Sequence, residues 1–312
     1  MNNFTKLFTA TVVLLLTTIL VQAQPTLDPT FSRTGYKLTQ IASGRDDIAR
    51  TVLVQSNGNV LTGGNSFNTI GNSNIAITRL KPNGAYDNTF GTNGIATIQG
   101  GFFCDMALLS NGKIIVAGGG VGTKNVNNFI VYRLRKNGSP DTTFGVGGSV
   151  EINIPNSSII CYDVAIQADG KIVLAGYQGG SGGFGNMLVV RLKPNGTLDN
   201  SFGTGGMFTL YLKGKHSECR QLTIQPDGKI VAGGSIDTLL FFSSLRYDFA
   251  AIRLNVNGTL DNSFGSGGIV RADKGTVDIS NAIALLSDGR IVLGGMSNYV
   301  GTTQFAALCL NP

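Results

Sequence analysis

The chain has 312 residues, of which 44 are glycine, 42% are hydrophobic and 13% are charged. So apolar a composition rules out a disordered chain, and Gly mixed with many Val, Ile, Leu, Phe and Thr reads as short strands joined by tight turns. The net charge of +6 is spread thinly, without a polybasic run or basic helix, which argues against nucleic acid as a partner.

The first segment stands apart. Met1 to Lys6 carries one positive charge, Leu7 to Leu20 is apolar and uncharged, and Val21-Gln22-Ala23 supplies the short residues a signal peptidase needs. The reading predicts a signal peptide over residues 1–23 and an exported mature chain, secreted, on the cell surface or in the periplasm. The apolar core falls short of the roughly 20 residues that span a bilayer, and no later stretch could cross one.

From residue 24 onward a single repeat dominates. Leu80–Gly91 reads LKPNGAYDNTFG, Leu134–Gly145 reads LRKNGSPDTTFG, Leu192–Gly203 reads LKPNGTLDNSFG and Leu254–Gly265 reads LNVNGTLDNSFG, each preceded by an arginine: Arg79, Arg133, Arg191 and Arg253. A second mark runs in phase with it. Asn57-Gly58, Asn111-Gly112, Asp169-Gly170, Asp227-Gly228 and Asp288-Gly289 each separate two apolar runs, a strong hairpin signal. Each repeat then contains four strands. First strands are expected over Ala49–Gln55, Asp105–Leu109, Tyr162–Gln167, Arg220–Gln225 and Asn281–Leu286. Second strands follow each turn as apolar runs ending in Gly64, Gly119, Gly176, Gly234 and Gly295. Third strands end at Leu80, Leu134, Leu192, Leu254 and Leu310. Fourth strands are expected over Ile95–Gln99, Ser149–Ile154, Met207–Leu212 and Ile269–Ala272.

Four strands in 54 to 62 residues fit a propeller blade better than a solenoid turn. The ends of the sequence complement each other. Leu27-Asp28-Pro29-Thr30-Phe31 is the second half of a connector, and Tyr36–Ile41 could be a fourth strand, while Leu310-Asn311-Pro312 begins a connector. The expected architecture is all-β: a five-bladed β-propeller with four antiparallel strands per blade, closed by the N-terminal strand joining the C-terminal blade. Closure would remove the exposed edges of a linear array. Residues 24–312 are expected to form one domain, as a monomer.

The pattern of an apolar strand, Asp-Gly-Lys-Ile-Val-x-Ala-Gly, then Arg-Leu-x-x-Asn-Gly-x-Leu-Asp-x-x-Phe-Gly, resembles the delta-60 repeat family of bacterial exported and surface proteins. The likeness runs from Leu27 to Pro312. It implies a β-propeller and brings no catalytic residues. The departures are Asn-Gly for Asp-Gly in the first two repeats and Cys309 where an arginine is expected. The Gly-Gly after the second strand gives a fainter likeness to kelch repeats.

The repeated residues read as architecture. The connector Asp can accept backbone N–H groups two or three residues on, its Phe can fill the layer between blades, and the Arg eight residues earlier can pair with that Asp or with a neighbour's. The connectors lack the carboxylates and spacing of a calcium loop, so no metal is expected, and no cofactor. Of the four cysteines, Cys161 and Cys219 occupy equivalent sites in successive repeats. Equivalent sites are usually too far apart for a bridge, which needs Cα atoms within about 7 Å, so buried free thiols are expected. Without a Cys-x-x-Cys, zinc finds no site.

Functional residues are sought where the repeats differ, in the loops after the second and fourth strands. Leu240, Phe241 and Phe242 in the longest of these form an apolar tip that could touch a partner. Non-repeated charged residues gather at the same end: Asp47, Asp105, Asp163, Glu218 and Asp278, with the single histidine His216 and with Arg220. These are the candidate ligand-binding residues. The expected role is a non-enzymatic binding or scaffold module contacting a protein or a glycan through the variable-loop face. The alternative is a glycoside-active enzyme, with paired acids at the mouth of the central channel. A purely structural repeat without a ligand is the third reading.

Overall fold

A computed structural model describes residues 26–42, 46–67, 73–121, 127–179, 185–237, 246–299 and 301–312. The expected signal peptide lies outside these residues, as does the apolar tip Leu240, Phe241 and Phe242. The described chain folds entirely into strands and turns, arranged as five antiparallel sheets in sequence order.

The first sheet contains β1 (Asp47–Val54), β2 (Val60–Phe67), β3 (Ser73–Leu80) and β4 (Ile95–Ile98). The second contains β5 (Phe102–Leu108), β6 (Ile114–Val121), β7 (Asn127–Leu134) and β8 (Ser149–Ile152). The third contains β9 (Ile159–Ile166), β10 (Ile172–Gly179), β11 (Gly185–Leu192) and β12 (Met207–Leu210). The fourth contains β13 (Ser217–Ile224), β14 (Ile230–Asp237), β15 (Tyr247–Leu254) and β16 (Ile269–Ala272). The fifth has three strands, β17 (Asp278–Leu285), β18 (Ile291–Tyr299) and β19 (Thr302–Leu310). In every sheet the strands pair with their sequence neighbours only, as a meander. Each hairpin between the first two strands turns on a Gly with positive φ, from 77° to 87°, and the preceding Asn or Asp accepts the amide two residues on.

The first strands begin two or three residues earlier than the sequence pattern suggested. Each contains a β-bulge, between Ala49 and Thr51, Phe103 and Asp105, Cys161 and Asp163, Cys219 and Gln221, and Ser280 and Ala282. One extra residue at the bulge reverses the phase of the in–out alternation. Ile159 and Cys161 are buried before it and Val164 after it, so a strict period of two finds only the second half of the strand.

Successive sheets pack face to face through apolar seams. One seam joins Ile115, Phe129 and Val131 to Ile159, Val164 and Leu174. Another joins Val173, Met187 and Val189 to Leu222, Ala232 and Ile236. The connectors lock these seams at one end. Arg191 is nearly fully buried, and its Nε donates to Asp199 Oδ2 at 2.9 Å. Its guanidinium stacks on Phe202 at 4.5 Å, and its Nη1 donates to Val256 O of the next sheet at 2.6 Å. Arg79 and Arg133 repeat the arrangement with Asp87 and Phe90, Asp141 and Phe144, reaching Lys136 O and Pro194 O of the next sheet. The arginine therefore pairs with its own repeat's Asp and also grips the following repeat. Gly203 N donates to Asn257 O at 2.8 Å, and Phe202 lies against Gly258, where a Cβ would stand 2.8 Å from the ring. Gly258 has φ of +83°, so both the conformation and the contact require glycine.

The N-terminal segment follows the same plan. Asp28 Oδ1 accepts from Thr30 N and Oγ1, as Asp87 does from Thr89. Ser32 N donates to Asn83 O at 2.7 Å, and Phe31 lies against Gly84, as Phe90 lies against Gly138. Asp28 to Ser32 is thus docked on the first sheet as the connectors at Phe90, Phe144 and Phe202 are docked on the sheets after them. Tyr36 to Ile41, expected as a fourth strand for the last sheet, makes no strand pairing, and β19 has β18 as its single neighbour.

Candidate functional site

The bulge places two kinds of side chain at the inner strands. The residue after it, Thr51, Asp105, Asp163 or Gln221, links one sheet to the next. Thr51 Oγ1 donates to Asp105 Oδ1 at 2.6 Å, and the carboxyls of Asp105 and Asp163 are hydrogen-bonded to each other. Asp163 Oδ2 accepts from Leu222 N at 2.6 Å, and Gln221 Nε2 donates to Ser280 O at 3.3 Å. A polar belt therefore runs from the first inner strand to the fifth. Burial, then the hydrogen bond and the charge of Asp105, push the Asp163 carboxyl up to about 8, so it holds the shared proton at neutral pH. These two acids are committed to the belt.

The bulged residue itself, Cys104, Tyr162 or Arg220, is half-buried. The Arg220 guanidinium lies 5.5 Å from the Tyr162 ring and its Nε donates to Glu218 Oε1 at 2.7 Å. Burial, with the Glu218 charge, pushes the Tyr162 hydroxyl up to about 12. The thiols of Cys104 and Cys161 meet across the second and third sheets, and that contact, with burial, holds Cys161 far above the usual thiol range. All four cysteines are free, and Cys161 and Cys219 are buried.

At the variable-loop end of the third and fourth sheets, three rings form a row. Tyr177 lies 5.3 Å from His216, tilted by 36°, and Tyr247 meets His216 edge-on at 5.8 Å. His216 Nδ1 accepts from Gly185 N at 3.2 Å, which fixes the ring with its proton on Nε2. Burial lowers the His216 pKa, against the opposing charges of Glu218 and Asp237, so the imidazole is neutral at physiological pH. Gly185 lies under the Tyr177 ring, and any Cβ there would collide with it. The row has half-buried faces, a neutral imidazole and the Glu218–Arg220 pair beside it.

The candidate residues therefore separate into four places. Asp105 and Asp163 join in the belt. His216, Glu218 and Arg220 share the rim with Tyr162, Tyr177 and Tyr247, which sequence reasoning did not select. Asp47 caps its own loop, accepting from Ile41 N at 2.8 Å. Asp278 lies in the fifth sheet, accepting from Lys274 N and Gly275 N. The tyrosines occupy unlike positions in their repeats, so a search for irregular aromatics near His216 was the available signal.

The family described as a domain of unknown function (DUF5122) beta-propeller matches residues 55–90, 109–144, 167–202, 225–264 and 286–312, more than half of the chain. The chain belongs to the DUF5122 beta-propeller family. The five sheets are its five blades. The match carries the propeller repeat but not the delta-60 designation. No curated protein matches. Among solved structures, the chain is similar to a mannose phosphorylase from Leishmania mexicana at 12% identity and TM-score 0.40, covering 84% of this chain and 82% of that one. It is similar to a GH43 endo-arabinanase from Bacillus licheniformis at 14% identity and TM-score 0.38, covering 83% and 92%. It is similar to a protein of unknown function from Dyadobacter fermentans at 12% identity and TM-score 0.47, covering 83% and 74%.

Proposed function

We propose that this DUF5122 propeller is an exported, non-enzymatic binding module that holds a glycan on the rim between its third and fourth blades. The observation that carries the reading is the row Tyr177, His216 and Tyr247 beside the Glu218–Arg220 pair. Aromatic faces pack against the apolar faces of sugar rings, while a carboxylate and a guanidinium bond hydroxyls. A neutral His216 adds a donor without an unpaired charge. Hydrolysis fits less well. Paired glycosidase carboxyls stand roughly 5–10 Å apart, whereas the Asp105 carboxyl is hydrogen-bonded to that of Asp163 and to Thr51 Oγ1, and Asp163 also accepts two backbone amides.

The scaffold reading includes closure of the ring. Its support is the docking of Asp28–Ser32 on the first blade as the missing half of a fifth connector. Export rests on the sequence of residues 1–23.

A glycan array probed with the mature chain, followed by titration calorimetry on each hit, tests the function. Tyr177→Ala and Glu218→Gln should abolish or weaken binding about tenfold or more, since a stacked ring and a charged hydrogen bond each contribute about 1–3 kcal/mol. Binding left intact in both variants would remove the rim from consideration. Release of reducing ends from any hit by the wild-type chain would overturn the non-enzymatic reading.

A further inference from the structure

On the seam between the fourth and fifth blades, three carboxylates converge. Asp248 is the second residue of β15, Asp273 follows β16, and Asp278 opens β17. One oxygen from each lies within 4.8 Å of the other two. Two ligands on one calcium ion stand at most about 5 Å apart, given Ca–O distances of roughly 2.3–2.6 Å, so one ion can reach all three.

Acidic clusters at loop ends are common, and the weight rests on what is buried beside this one. Asp278 is fully buried. Its Oδ2 accepts the amides of Lys274 at 2.6 Å and Gly275 at 3.1 Å, but its Oδ1 is buried with no hydrogen-bond partner. Ser297, paired with Asp278 across β17 and β18 and hence on the same face, is also buried, and its Oγ is likewise without a partner. Ser297 Oγ borders the same loop, 2.8 Å from where a Cβ on Gly275 would stand. A buried carboxylate oxygen and a buried hydroxyl, both unpaired, are costly in a folded protein unless something binds them. The cations nearby do not fill the role. Arg271 Nη2 binds Asp248 Oδ2 at 2.7 Å, and two amides take Asp278 Oδ2.

We propose that Asp248, Asp273 and Asp278, with Ser297 Oγ, form a calcium site that fastens the fourth blade to the fifth. Every donor is oxygen and none is nitrogen or sulfur, which selects a hard cation. The irregular set, drawn from three strands and a loop, suits the flexible coordination of calcium better than the strict octahedron of magnesium. The bound ion would tie the 273–277 loop to β15. This site is separate from the aromatic rim and does not depend on the glycan reading.

The test uses the full mature chain, stripped with a chelator and titrated with calcium in a calorimeter. Calcium should bind and should raise the melting temperature relative to chelator. Asp273 is exposed, so Asp273→Asn should fold normally, as judged by circular dichroism and by an unchanged melting temperature in chelator. It should weaken calcium binding about tenfold or more through the lost ligand charge. Asp278→Asn should do the same or more. Absence of calorimetric binding at millimolar calcium would overturn the proposal. So would wild-type affinity in folded Asp273→Asn, or binding of magnesium in preference to calcium.

Discussion

Replacing Phe202 with alanine probes the lock between the third and fourth blades. The ring is fully buried, stacked under the Arg191 guanidinium at 4.5 Å and pressed against Gly258 of the next blade. Truncating a buried Phe to Ala removes apolar surface and leaves a cavity, costing about 3–5 kcal/mol. The stacked guanidinium is itself buried, which places its contribution toward the upper end of roughly 0.5–2 kcal/mol. Arg191 keeps Asp199 and Val256 O, so no charge is stranded. The expected loss is about 5 kcal/mol or more, a large fraction of the roughly 5–15 kcal/mol that keeps a domain folded. Urea unfolding should be followed by circular dichroism and tyrosine fluorescence, since the chain has no tryptophan. Val146→Ala is the control, because that side chain is 87% exposed and should change stability by no more than about 0.5 kcal/mol. A loss below about 1 kcal/mol for Phe202→Ala, or equal losses for both variants, would refute the locking role.

Other outcomes follow from the same structure. Asp163 binds its proton more tightly folded than unfolded, so the folded chain carries the extra proton between the ordinary value of 3.8 and about 8. Stability should therefore fall as pH rises through that window. Asp163→Asn should flatten this slope, and an unchanged slope in urea melts across the window would show that the belt does not share a proton. Deleting residues 26–41 removes Phe31 from Gly84 and the Ser32–Asn83 bond, and should lower the melting temperature if the segment seals the ring. An unaltered melting temperature would refute closure.

How much of this was legible in the sequence depended on whether a residue obeyed the repeat. The connector Arg, Asp, Phe and Gly recur at fixed spacing, so their joint role could be read directly. The half-connector at Asp28 and Phe31 was visible for the same reason. The belt was not legible, because a bulge moves Asp105 and Asp163 out of phase with the strand they belong to. The rim was only half legible: His216, Glu218 and Arg220 stood out as charged exceptions, but Tyr177 and Tyr247 come from different strands and meet His216 only through folding. Asp248 and Asp273 were missed because each sits alone in the sequence, and the carboxylate cluster exists only where the fourth blade meets the fifth.

The connector seam has a direction. One blade offers a ring and a guanidinium, the next receives them on a glycine and a carbonyl, and the two surfaces differ. Contacts between unlike surfaces are heterologous, and a series of them either returns on itself or runs on as a filament. The number of repeats is then a geometric quantity, fixed by the rotation each step imposes.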